Sequence, residues 1–204
     1  MGNVISLARE RAARAAPSRT PRPRVTFFFD LTSPFTYLAA ERVDRLFGDV
    51  EWRPVLSDAL PSSRDAGAAQ ARAEELHMPL VWPERYPAGR AAMRVAALAS
   101  DEGRAALFAL AAGRLAFCGG FDLDDPEVLA EAAAAAGLPL DGCLAAAGDR
   151  ARDEGLDRLG RTLLEHGADC MPALRVGRAL YCGEHRLAEA AAAVRDGRFQ
   201  RRSG

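Results

Sequence analysis

The spacing of apolar residues changes twice along the chain, and the changes divide it into three parts. Val25-Thr26-Phe27-Phe28-Phe29-Asp30 is an unbroken apolar, aromatic and β-branched run. A run without polar alternation predicts a central strand covered on both faces. Thr32 or Ser33 then offers an N-cap and Pro34 a first helical position. Leu38, Val43, Leu46 and Phe47 follow as core positions of a helix that Gly48 ends. Val50 to Val55 reads as a second strand, closing a right-handed β-α-β unit.

The middle of the chain keeps Leu, Val and Phe at helical spacing among many alanines. It predicts helices over Arg64–Leu76, Ala88–Ala99, Glu102–Phe117, Asp125–Ala136 and Asp149–Glu165, with an extended stretch at Met78-Pro79-Leu80-Val81-Trp82-Pro83. The last third turns to short strands, Pro172–Val176 and Ala179–Cys182, joined by the two-residue turn Gly177-Arg178. A final helix is expected over Glu184–Val194. The order β-α-β, helical block, β-β-α describes an α/β thioredoxin fold with a helical insertion at about 64–166. The whole domain is expected over 25–196, between a flexible extension at 1–24 and a tail at 197–204.

Composition narrows the chemistry. The 204 residues suit one domain. A net charge of -1 gives no global field for nucleic acid or an anionic membrane. Every basic side chain is Arg, so no Schiff-base lysine exists. Cys118, Cys143, Cys170 and Cys182 form no C-x-x-C, and with the histidines they show no zinc-ligand spacing, so no metal is expected. Scattered thiols without an apolar signal segment point to the cytoplasm. No run approaches the ~20 apolar residues of a membrane span. Asn3–Ala16 has the pattern of a short Arg-rich helix, and Met1-Gly2-Asn3-Val4-Ile5-Ser6 matches a myristoylation pattern that chance also produces.

Three constellations carry chemistry. Ser33-Pro34-Phe35-Thr36-Tyr37 opens the first helix, where unpaired N–H groups and the helix dipole favour an anion such as a thiolate; a plain helix cap is the other reading of Ser33. Cys170-Met171-Pro172 precedes the hairpin where this fold places a cis-proline, although a proline can also simply start a strand. Gly183-Glu184-His185-Arg186 begins the last helix, where Glu184 or His185 can read a ligand's charged end or lie in solvent. Trp82 and Tyr86 are candidates for an aromatic pocket or for core, and Cys170 for a reactive or a structural thiol.

The stretch Phe28-Phe29-Asp30-Leu31-Thr32-Ser33-Pro34-Phe35-Thr36-Tyr37-Leu38-Ala39 resembles the opening of the 2-hydroxychromene-2-carboxylate isomerases, which belong with the kappa-class glutathione transferases in the DsbA-like branch of the thioredoxin superfamily. Three further stretches agree in order: Met78 to Pro83, Ala92-Met93-Arg94, and Met171-Pro172 followed by Tyr181 to Leu187. The resemblance implies glutathione, or another low-molecular-weight thiol, as cofactor. Ser33 would sit beside its sulfur, the Met171 backbone before Pro172 would pair with it, and Glu184 and His185 would hold its far end. Phe35, Tyr37, Trp82, Tyr86 and Arg94 would line the substrate pocket. Family members carry an acidic residue where His185 stands. The implied activity is a thiol-dependent isomerase or transferase acting on a conjugated or aromatic carbonyl, in a chain that also forms a homodimer. Two other readings stay open: a DsbA-like oxidoreductase lacking C-x-x-C, and a catalytically silent thioredoxin-like binding module.

Overall fold

A computed structural model describes residues 24–58, 60, 65–83 and 89–200, with side chains to 196. The expected N-terminal helix and the myristoylation pattern lie outside the described residues. Four strands form one sheet in the order β2-β1-β3-β4: β1 Val25–Phe29, β2 Glu51–Pro54, β3 Ala173–Val176 and β4 Ala179–Cys182. β1 pairs parallel with β2 and antiparallel with β3, and β3 and β4 make the hairpin. All five residues of β1 are buried, as the unbroken apolar run requires of a strand with neighbours on both edges and cover on both faces.

Alternation along β1 divides the core. Phe27 and Phe29 stack on one face, and Trp52 of β2 meets Phe27 edge-on at 4.7 Å. Phe28 points the other way, into a smaller cluster with Val55, Leu163, Met171 and Ala173. Helix α1, Pro34–Phe47, follows β1 at once. Pro34 supplies a fixed φ at its first position, and Gly48, at φ 82°, ends it.

The insertion holds α2 Ala66–Glu75, α3 Arg90–Asp101, α4 Ala105–Phe117, α5 Pro126–Ala135, α6 Leu140–Gly148 and α7 Ala151–Glu165. Two expectations need correction. The helix expected from Glu102 starts at Ala105, because Gly103 turns at φ 68° and separates α3 from α4. Helix α6 has no counterpart among the expected helices. Its burial falls on Cys143 and Ala146 while Leu140 and Leu144 stay exposed, so its large apolar residues do not mark the buried face. Small side chains there let it pack closely on α3 and α5. The stretch 78–83 pairs with no strand and is pinned where the Val81 N–H donates to the Phe117 carbonyl at 2.8 Å. After β4 a 3-10 turn, Glu184–Arg186, leads into α8, Leu187–Gln200, which continues through the first four residues of the expected tail. No helix among the described residues is long and apolar enough to cross a membrane.

Candidate functional site

The corner between β1 and α1 is fixed from several sides. Asp30, 2% exposed, accepts four hydrogen bonds on its carboxylate: the Thr32 N–H and hydroxyl at 2.8 Å each, the Ser57 N–H at 3.0 Å and the Ser57 hydroxyl at 2.6 Å. Two oxygens each taking two donors is the full acceptor capacity of an ionised carboxylate. The Ser33 N–H donates to the Asp30 carbonyl at 3.1 Å, and the Ser33 carbonyl accepts from the Thr36 N–H at 3.0 Å. From α3, the Met93 sulfur accepts the Leu31 N–H at 3.3 Å. Gly89, at φ 69°, lies so close that a Cβ there would stand 2.3 Å from the Thr32 methyl.

Ser33 itself is buried, with extended backbone, and its side chain makes no capping hydrogen bond to α1. The hydroxyl thus stands at the positive end of a 14-residue helix without closing it. The Met171–Pro172 peptide is cis. Met171 is 2% exposed, and its backbone makes no hydrogen bond among the described residues. The Pro172 carbonyl takes the Gly183 N–H at 2.7 Å, which brings the start of the last helix against the cis-proline.

At that helix start Glu184 points inward, its side chain 1% exposed. It is paired with Arg42 of α1 and, through Oε2, with Arg72 Nε of α2 at 2.5 Å. Arg72 also donates Nη1 to Glu75, and hydrogen bonding to Glu184 raises its pKa further above the arginine range. Glu184 is therefore the centre of a clasp joining three elements. His185 is exposed and folds its ring over Gly183.

The expected pocket residues separate. Phe35 is half-buried against the main core. Tyr37 is buried, stacked on Phe117, and donates its hydroxyl to the Pro79 carbonyl at 3.0 Å. Burial first, then the neighbouring Cys118 and Glu41, push its pKa to about 12. Trp82 meets the other side of this group, edge-on to Phe117 at 6.2 Å. Tyr86 lies outside the described residues. Arg94 turns to α7, where it grips Asp153 with two hydrogen bonds of 2.7 Å and the Ala147 carbonyl with a third. The structure does not bring it to the Ser33 corner.

Among the described residues no group of three or more His, Cys, Asp or Glu is arranged to hold a metal. All four cysteines are free. Cys170 is half-buried, and burial first, then a hydrogen bond with Asp169, push its thiol to about 12. It is a protonated, weakly nucleophilic thiol at neutral pH. Sequence reasoning missed Asp30 as the tie to Ser57, Gly89 as the wall behind Thr32, and the arginines that hold Glu184. A charged residue ending a buried strand was a readable signal for Asp30. Arg42 and Arg72 carried none, because their partner is distant in sequence.

The sequence profile of the DSBA-like thioredoxin domain matches residues 24–195. No curated protein matches the chain. Among solved structures, 2-hydroxychromene-2-carboxylate isomerase superposes with a TM-score of 0.71 at 22% identity, covering 88% of this chain and 97% of that one. The cytosolic disulfide reductase DsbM from Pseudomonas aeruginosa, solved with GSH, gives 0.57 at 18% identity over 88% and 99%. The thiol-disulfide exchange protein alpha-DsbA2 from Wolbachia pipientis gives 0.54 at 17% identity over 89% and 84%. At these identities the likeness is one of fold.

Proposed function

This chain belongs to the family of DSBA-like thioredoxin domains, and from that premise we propose that it is an enzyme: a thiol-dependent isomerase or transferase for a conjugated or aromatic carbonyl substrate. The observation that carries the reading is the uncommitted Ser33 hydroxyl at the N-terminus of α1, in a β1–α1 turn whose own residues include no cysteine, with a cis-proline just before the neighbouring strand β3. A solved relative in fold is a 2-hydroxychromene-2-carboxylate isomerase, and another was solved with GSH.

The residues present fit a thiol. Ser33 has an unshared donor, the Met171 backbone before the cis-proline has no partner among the described residues, and the helix terminus favours an anion. When bound, a thiol supplies a nucleophile that adds reversibly to a conjugated carbonyl, so that the loosened bond rotates before the thiol leaves. Ser33 donates a hydrogen bond to the sulfur anion, and the α1 dipole stabilises the same charge. Met171 fixes the ligand's register. Tyr37 and Trp82, held on Phe117, form an aromatic wall, with the Tyr37 hydroxyl donated to the Pro79 carbonyl.

Calorimetric titration with glutathione tests the reading. Saturable binding to the wild type, with affinity lowered about tenfold or more in Ser33→Ala, is the expected outcome, in keeping with a hydrogen bond to a charged group. Unaltered binding in Ser33→Ala removes Ser33 from the mechanism. An oxidoreductase acting through Cys170 is disfavoured by the protonated state of that thiol. Catalysis should therefore survive Cys170→Ala.

A further inference from the structure

Charge is spread unevenly along the chain, and two of its segments complement each other. Residues 115–149 hold seven acidic side chains and no basic one. Residues 1–24 hold six arginines and one glutamate. The acidic stretch covers α5, α6 and the turns around them. Its Asp125, Glu127, Glu131 and Asp141 are exposed and meet no arginine among the described residues. Arg104 approaches the turn at Gly137 without pairing to any of them. Helix α6 also carries uncovered apolar side chains: Leu140 and Leu144, one turn apart, are 53% and 50% exposed. Neighbouring exposed leucines among unmatched acids suit a segment that is itself apolar and basic. Residues 3–16 have that composition, with Val4, Ile5 and Leu7 beside Arg9, Arg11 and Arg14.

The fold puts this surface within reach of that segment. Helix α3 begins beside Thr32, past the end of β1, and its Ser100 hydroxyl reaches the Trp52 carbonyl at 3.5 Å, level with Phe27. It therefore runs back toward the start of β1. Helix α6 lies antiparallel on α3: the Ala147 carbonyl accepts from Arg94, and a Cβ on Gly142 would stand 3.7 Å from Leu98. Leu140 and Asp141 thus stand at the same end of the molecule as Arg24, which leads into β1. Packing distances of roughly 10 Å from sheet to α3 and again from α3 to α6 make a gap of about 20 Å. Residues 17–23, which include Pro17, Pro21 and Pro23, can span about 22 Å when extended. A segment tethered this way needs little affinity, because a short linker holds it at an effective concentration of about a millimolar.

We propose that residues 3–16 dock on the exposed face of α6 around Leu140 and Leu144, with their arginines against the acids of α5 and α6. The docking is independent of the thiol reading. The chain has no lysine, so Arg11→Lys gives the full-length protein its only side-chain amine and keeps the charge. Zero-length carbodiimide coupling of that amine to carboxylates, mapped by peptide mass spectrometry, reports what lies against the segment. Crosslinks within one chain are expected at Glu131 and Asp141, about fivefold or more above those to Glu154 and Glu165, which are exposed on α7. They should fall about fivefold or more at 1 M salt, where charges are screened beyond about 3 Å. Adding Leu140→Gln and Leu144→Gln should lower them as well, with a thermal melt to check the fold; the salt comparison stands without these variants. Crosslinks spread over all exposed acids, crosslinks unaffected by salt, or none at all overturn the docking. An equal mixture of isotope-labelled and unlabelled chains separates copies. Crosslinks joining labelled to unlabelled chains as often as like to like would put the segment on a second copy and overturn its docking on its own α6.

Discussion

At the scale of single residues, the corner was legible where a local rule applied and hidden where the partner came from elsewhere. Ser33 before Pro34 announced a helix start, and a helix does start there with Ser33 as its cap residue. That the hydroxyl leaves the cap open depends on rotamer and surroundings, which no local pattern encodes. Gly89 shows the same limit. Nothing nearby marks it, yet its φ of 69° and the 2.3 Å that would separate an added Cβ from the Thr32 methyl leave no room for a side chain. Gly89→Ala should cost about 1–3 kcal/mol in urea unfolding and weaken any ligand held at Ser33; a stability change near zero would contradict this packing. Cysteine reactivity follows exposure and protonation. Cys118 is exposed while the Cys170 thiol is pushed to about 12. Limiting iodoacetamide at neutral pH should label Cys118 before Cys170, as read by peptide mass spectrometry. Preferential labelling of Cys170 would reopen the oxidoreductase reading.

At the scale of elements, periodicity located every strand and most helices, because β1 and α1 bury their large apolar residues. It failed for α6, whose buried residues are small and whose leucines face out. Close approach is also invisible to periodicity at Gly160, where a Cβ would lie 2.3 Å from the Leu56 carbonyl oxygen. Gly160→Ala must push α7 off the segment after β2 and should destabilise by about 1–3 kcal/mol. Gly155, on the same helix, meets nothing within 4 Å. Gly155→Ala should instead be neutral or stabilising by up to about 1 kcal/mol. Equal effects in chemical denaturation would contradict this account of the α7 contact. The Arg94–Asp153 pair ties α3 to α7 and, through its hydrogen bonds, holds the Asp153 pKa below the ordinary carboxylate value. A depressed folded pKa gives stability that is full above the unfolded value, about 3.9, and lost as pH falls through the folded one. Asp153→Asn should flatten that acid limb of the stability profile, and an unchanged limb would assign it to other carboxylates.

At the scale of the whole molecule, the central place of β1 followed from the sequence because its run reads as buried on both faces, and β1 is flanked by β2 and β3. The helical insertion was legible as a block. What it does for the site was not: α2 supplies Arg72 to Glu184, α3 supplies Met93 to Leu31, and α4 carries Phe117 under the aromatic wall. These are contacts between distant parts of the chain: Met93 and Phe117 brace the β1–α1 corner, and Arg72 braces the start of the last helix. The central claim is that this corner stabilises a thiolate through Ser33. Its most direct measurement is the pH titration of glutathione's ultraviolet thiolate absorbance when bound to the wild type and to Ser33→Ala. The account predicts a bound thiol pKa below that of free glutathione in the wild type, moving back up by about one unit or more in the variant. A bound pKa equal to the free value, or one identical in both proteins, would contradict it.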